Sequence, residues 1–129
     1  YHMPCCFYNP TVMNLHAIEL KNIINKYSKL NKVIFCGDFN SQPDSELYKI
    51  MTKDTSSSAY SLVHGSEPEK TTYCITNRDN QVNTFEGCID YCFISGINIT
   101  NANISDFSKP MPNEEWPSDH CFMDFTFLI

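Results

Sequence analysis

The chain has 129 residues, enough for one domain with a modest core. At 42% hydrophobic and 19% charged it has globular composition, and no apolar run is long enough to cross a membrane. A formal net charge of -6 argues against a general nucleic-acid binder, so any phosphate ester must be gripped locally rather than along a basic track.

Tyr1-His2-Met3-Pro4 reads as the end of a strand entering a loop, with the natural N-terminus and any targeting signal expected upstream. Asn9-Pro10 starts a helix, asparagine as N-cap and proline in the first turn. Met13, Ala17, Leu20, Ile24 and Tyr27 form one apolar stripe to about Lys29, and Lys21, Lys26, Lys29 and Lys32 read as a solvated face. Val33 to Cys36 reads as a short buried strand ending at Gly37.

Asp44 or Ser45 caps a short helix through Met51, and Ala59 to Glu69 reads as irregular, with Tyr60, Leu62 and Val63 packing at an unspecified place. Thr71 to Thr76 has strand composition and Asn77 to Asn83 reads as a polar connection. Cys88 to Ile94 is a buried strand with Asp90 in its middle, and Ile97 to Ile104 alternates weakly as another. Pro110 to Ser118 is a loop holding Trp116, and Cys121 to Ile129 a strand with Cys121, Met123, Phe125, Phe127 and Ile129 on one face. This order predicts a mixed, layered α/β domain. Seven cysteines without a Cys-x-x-Cys pair point to a reducing, intracellular and most simply cytoplasmic setting, without a disulfide framework or a zinc site.

Three stretches carry chemistry. Asp38 and Asn40 leave a strand end two positions apart and therefore side by side, with Phe39 turned to the core. A carboxylate beside an amide suits a metal-bound water and a phosphate oxygen, although Gly, Asp, Asn, Ser and Pro equally suit a strand-ending turn. Asp90 within an apolar strand needs a partner, which can be a structural ion pair or a functional one. Ser118-Asp119-His120 follows a loop, where reactive groups are commonly presented. His120 can act as a base or stabilise a phosphate oxygen once an acceptor such as Asp90 fixes its other nitrogen. His2, at another strand end, is a further candidate.

Gly37-Asp38-Phe39-Asn40-Ser41-Gln42-Pro43-Asp44-Ser45, Phe85-Glu86-Gly87, Gly87-Cys88-Ile89-Asp90-Tyr91-Cys92-Phe93 and Pro117-Ser118-Asp119-His120 occur in that order. Together they resemble the signature set of the endonuclease/exonuclease/phosphatase superfamily. The extended form is most similar to its deadenylase-like branch, which holds carbon-catabolite-repression-type poly(A) nucleases, nocturnin, angel and the 2′-phosphodiesterases. Tyr1-His2-Met3-Pro4 resembles the strand-end histidine of that branch.

The resemblance implies a layered α/β sandwich of two packed sheets flanked by helices, with residues 1–129 as the C-terminal part of one domain that packs on an absent N-terminal half. It implies Mg²⁺-dependent phosphodiester hydrolysis, with Mn²⁺ as a substitute, on an RNA or nucleotide substrate and with no membrane partner. Asp38 would orient or deprotonate the attacking water, Asn40 would hold a phosphate oxygen, and Asp90 would fix the tautomer of His120. Asp119 would belong to the metal site, and His120 would bind the scissile phosphate or act as base. His2 would contact the phosphate or assist the leaving group. Phe85 is the expected stacking platform for a base and Trp116 a second one. The side chains of Asp38, Asn40, Asp90, Asp119 and His120 should then converge at one end of the sheet. The principal metal-ligand glutamate would lie outside this chain. A phosphatase or phosphodiesterase acting on a small nucleotide or on a lipid or inositol phosphate is the alternative, as is a catalytically incomplete binding module.

Overall fold

The computed structural model describes residues 1–6, 8–78 and 81–128. Helix α1 runs Pro10–Ser28 with proline at its start, but the Asn9 side chain makes no capping bond. Its buried face holds Met13, Ala17, Leu20 and Ile24, as the spacing predicts. The buried arc is rotated towards Lys21, which leaves Tyr27 on its outer edge and 55% exposed.

Strand β1 (Val33–Asp38) pairs antiparallel with β5 (Asp90–Ser95), which also pairs with the two-residue β2 (Ser57–Ser58). β1 is not the fully buried strand its apolar run suggests. Val33 and Phe35 pack on the core, while Ile34 and Cys36 alternate outwards into a groove between sheets, Ile34 46% exposed. The other edge of β1 takes the N-terminal segment, since Met3 N donates to Asp38 O at 2.8 Å and Asp38 N to Tyr1 O at 3.1 Å. His2 thus forms a parallel bridge to Asp38 at the edge of the sheet. Gly37 permits this approach, because a Cβ there would overlap the Tyr1 carbonyl.

Helix α2 (Glu46–Thr52) starts at Ser45, whose hydroxyl accepts from Tyr48 N. Its C-terminal end is held by a residue that the charge pattern assigns to solvent. Lys21 is 7% exposed, and its ammonium donates to Met51 O at 3.1 Å, to Ser56 Oγ at 2.5 Å and to Lys53 O. A long aliphatic stem lets the cation cross the α1–α2 interface and satisfy carbonyls that the helix end leaves open. Burial lowers the Lys21 pKa, and Asp54 partly offsets this. Lys21→Ala is expected to cost about 2–4 kcal/mol, because it strands buried acceptors. Urea unfolding checks this; a loss below about 0.5 kcal/mol would mean that water replaces the ammonium.

Residues 59–69 are not wholly irregular. Ser58 accepts from Ser61 N and Ala59–His64 form the short helix α3, closed by Gly65 at φ 83°. Only Ala59 of this helix is buried and Leu62 is 57% exposed, so no apolar stripe announces it.

A hairpin follows where the polar composition suggested a connection. Strands β3 (Thr72–Arg78) and β4 (Gln81–Gly87) pair antiparallel, with Cys74 opposite Phe85 and Thr76 opposite Asn83. Most of β4 is exposed, which removes the alternation by which a half-buried strand is read. Asp79 and Asn80, part of that expected connection, lie outside the described residues, as does Ile129. Strands β6 (Asn98–Ile104) and β7 (Met123–Leu128) form a second hairpin-like pair, and Cys121 precedes β7 rather than joining it. The main core gathers α1, α2, Phe39, Tyr91 and Phe93. A second cluster packs Ala59, Cys92 and Ile94 against Phe125 and Phe127.

Candidate functional site

The site is built from β1 and β5 ending in register. Asp38 is the cross-strand partner of Asp90, and both side chains leave the same face. Asp90 is therefore the first residue of β5, not its middle, and is half-buried at the end of the sheet. Beyond Asp38 the chain turns: Phe39 is fully buried, and Asn40 takes a left-handed φ of 48°. The Asp38 carboxylate accepts from Asn40 N at 2.7 Å, and Asn40 Nδ2 donates to Met3 O at 2.8 Å. The stretch is thus both a turn and a presented carboxylate–amide pair, since the turn is closed by the carboxylate itself. Tyr91 ties this loop to the approach to β5, its buried hydroxyl lying 2.8 Å from both Ser41 O and Cys88 O.

His120 reaches the same point from the last loop. Its segment bridges to the start of β3, Cys121 N donating to Thr71 O at 2.8 Å and Tyr73 N to Asp119 O at 3.3 Å. Nδ1 of His120 lies 2.9 Å from Asp90 Oδ2, which leaves Nε2 facing Asp38 Oδ2 at 3.9 Å and Asp119 Oδ1 at 3.9 Å. A proton on Nδ1 shared with the Asp90 carboxylate sets the tautomer and leaves Nε2 for chemistry. His2 Nε2 approaches Asp38 Oδ2 from the other side at 3.5 Å.

Two hydroxyls complete the cluster that the motifs do not mark. Thr71 Oγ1 donates to Asp90 Oδ2 at 2.7 Å and accepts from Ile89 N and Asp90 N at 3.0 and 3.1 Å. Thr72 Oγ1 lies 3.1 Å from both Asp90 Oδ2 and His120 Nδ1. Their only trace in the sequence is the need of a half-buried carboxylate for donors, and nothing in spacing says which strand supplies them. Thr71→Val keeps the shape but orphans two backbone donors and one carboxylate bond. It is expected to cost about 1–3 kcal/mol in denaturant unfolding, and an unchanged midpoint would contradict the assignment.

The electrostatics separate the groups. The hydrogen bond to Asp90 raises the His120 pKa against the opposing effect of burial, with the Asp90, Asp38 and Asp119 charges adding to the rise. Burial raises the Asp38 pKa, helped by Asp90 and opposed by the Asn40 hydrogen bond and the two histidines. A raised folded pKa means stability present below the unfolded value and lost as pH climbs through the folded one. In chelator, thermal stability should therefore fall as pH rises above the ordinary histidine value. His120→Asn should flatten that limb, and an equal slope in the variant would refute it.

A cleft of about 770 Å³ opens at this end of the sheet. Asp38, Asn40, Asp119 and His120 line one side. One face of the β3–β4 hairpin, with Thr72, Cys74, Thr76, Asn83 and Phe85, lines the other. Gly87 leaves room for the Phe85 ring, whose Cζ would be 3.4 Å from a Cβ there. Trp116 lines a separate pocket of about 130 Å³ with Phe107 and Lys109, away from this cluster. Asp38, Asp90 and His120 offer ligand atoms within 4.8 Å of one another. A set of carboxylates with one imidazole suits a divalent cation. Asp90 already accepts from Thr71 and His120, so Asp38 and Asp119 are the carboxylates with oxygens to spare.

Among the described residues, no helix is long and apolar enough to cross a membrane. The chain is similar to the human nocturnin catalytic domain, solved with bound sulfate, at 28% identity and a TM-score of 0.64, covering 97% of this chain and 45% of that one. A mannosyl-6-phosphatase of Bacteroides thetaiotaomicron shares the fold at 19% identity and a TM-score of 0.70, covering 99% of this chain and 49% of that one. The chain thus spans less than half the length of these structures. A comparison with curated protein sequences returns no match. The family model described as Endonuclease/Exonuclease/phosphatase matches residues 5–120, and the chain belongs to that family of hydrolases.

Proposed function

We propose that this chain is the C-terminal half of a Mg²⁺-dependent phosphodiester hydrolase, of the 3′-exoribonuclease or deadenylase type, acting on RNA. The observation that carries the reading is the line Asp90–His120–Asp38 at the mouth of a cleft walled by Phe85. Asp38 orients the attacking water and takes its proton. Asn40 keeps one amide hydrogen on Met3 O and offers the other to a phosphate oxygen. His120, favoured as imidazolium by Asp90, binds the scissile phosphate through Nε2, and His2 assists at the leaving side. Phe85 stacks a base. A Mg²⁺ or Mn²⁺ ion held by Asp119, with a glutamate from the other half, would supply charge neutralisation at the phosphate.

The seven free cysteines fit a reducing compartment such as the cytoplasm.

The test is hydrolysis by the full-length polypeptide that contains this chain, with and without Mg²⁺, on poly(A), mixed RNA, 2′-5′ oligoadenylate, a dinucleotide and a sugar phosphate. Preference for poly(A) supports the reading. A second reading, a phosphatase or phosphodiesterase on a small singly phosphorylated substrate, is favoured by one feature: no Lys or Arg lines the cleft among the described residues. It predicts turnover of the sugar phosphate or dinucleotide alone. Binding of RNA without turnover would make the domain a binding module instead.

A further inference from the structure

One rung of the β1–β5 ladder is made of two thiols. Cys36 stands opposite Cys92, directly next on the same face to the Asp38–Asp90 rung, and both sulfur-bearing side chains line the groove between the sheets. The pairing is of the kind without reciprocal backbone bonds. Cys36 O and Asp38 N and O are used towards Tyr1 and Met3, while Phe39 N bonds to Ile89 O at 2.8 Å, so the odd-numbered residues of β1 face β5. In such antiparallel pairs the Cα atoms stand about 4.5 Å apart, inside the range of roughly 4.4–6.8 Å that a disulfide spans. Cys36 is exposed and Cys92 is 2% exposed, so one thiol meets reagents from solvent and the other waits beneath it.

We propose that Cys36 and Cys92 form a reversible cross-strand disulfide, an oxidative modification site one rung from the carboxylate pair, formed by exchange with a low-molecular-weight disulfide such as oxidised glutathione. The Cys36 sulfur, having lost its proton, attacks one sulfur of glutathione disulfide. That S–S bond breaks and one glutathione thiolate leaves. The Cys92 sulfur then attacks the Cys36 sulfur of the mixed disulfide and expels the second glutathione. Two protein thiols and one glutathione disulfide give one protein disulfide and two reduced glutathiones, which take up the two electrons and both protons.

The position distinguishes this pair from the other cysteines. Cys88 and Cys92 sit in one stretch of chain and Cys5 and Cys6 are adjacent, but only Cys36 and Cys92 are cross-strand partners in the described register of β1 and β5. The bond would tie β1 to β5 beside the carboxylates that end both strands.

The experiment incubates the full-length polypeptide that contains this chain with oxidised glutathione, alkylates the remaining thiols, and maps linked peptides from residues 1–129 by mass spectrometry with and without dithiothreitol. The expected result is a Cys36–Cys92 linked peptide, the loss of those two from the seven free thiols, and recovery of both in dithiothreitol. Cys36→Ser, an exposed position, should abolish the linked peptide and leave Cys92 alkylatable after denaturation. Arrest at a Cys36–glutathione adduct, linkage of Cys36 to Cys121 or to a second chain, or an unreacted pair would each overturn the proposal.

Discussion

In the polypeptide that carries both halves of the domain, His120→Ala is expected to lower Mg²⁺-supported hydrolysis by about a thousandfold, while far-UV circular dichroism stays unchanged. The fold should survive because the ring sits at the sheet end, about a third exposed, and the loop holding it is pinned by backbone bonds from Cys121 and Tyr73. Thr71 and Thr72 continue to hold Asp90 when the ring is removed. Asp90→Asn makes the more discriminating companion. It keeps volume but lets an amide donate to Nδ1, which turns the wrong tautomer towards Asp38; a loss of about a hundredfold or more is expected. Rates near wild type in His120→Ala would remove the histidine from the mechanism. A full loss in His120→Ala with none in Asp90→Asn would reduce Asp90 to a structural partner.

Asp38→Asn carries the second large effect, expected at about a hundredfold to a thousandfold in kcat/KM. The substitution is chosen for what it preserves. The amide oxygen it introduces can still accept from Asn40 N, so the turn that presents Asn40 stays closed. What disappears is the negative charge between His2 and His120, and with it the capacity to orient and deprotonate a water. Burial raises the Asp38 pKa, so the wild-type rate should fall as pH drops through that raised value, where the carboxylate is protonated. The variant should lack this acid limb. Retention of both the rate and the limb would assign the base elsewhere in the domain. Chelation of Mg²⁺ should reduce wild type and variant to a common floor.

The stretch Gly37-Asp38-Phe39-Asn40 was legible because its geometry is local. Alternation at the strand end turns Asp38 away from the core and Phe39 into it, and the Gly, Asn and Ser composition that marks a turn fits the left-handed φ of Asn40, which the turn holds buried against Met3 O. Helix α1 was legible for the same reason, apart from Lys21. That lysine reads as solvated because nothing in its own helix reveals that α2 ends above it with open carbonyls. The β3–β4 hairpin is not legible in the sequence, because both faces of β4 are largely exposed and burial imposes no period on its residues. The need of Asp90 for a partner is legible in its apolar surroundings, but its place at the first residue of β5 follows from pairing with β1, a register set across more than fifty residues of chain.

By itself, then, the sequence determined the layered α/β class, the order of its motifs and the identity of the ionisable groups, because each is written in residues close together in the chain. Only the tertiary structure decided how those groups stand to one another. It brought His120 onto Asp90, supplied Thr71 and Thr72 as unannounced donors, put Phe85 on the cleft wall and left Trp116 in a different pocket. The physical reason is that hydrogen bonds between groups dozens of residues apart depend on strand register and loop closure, and neither leaves a periodic mark on the residues that make them.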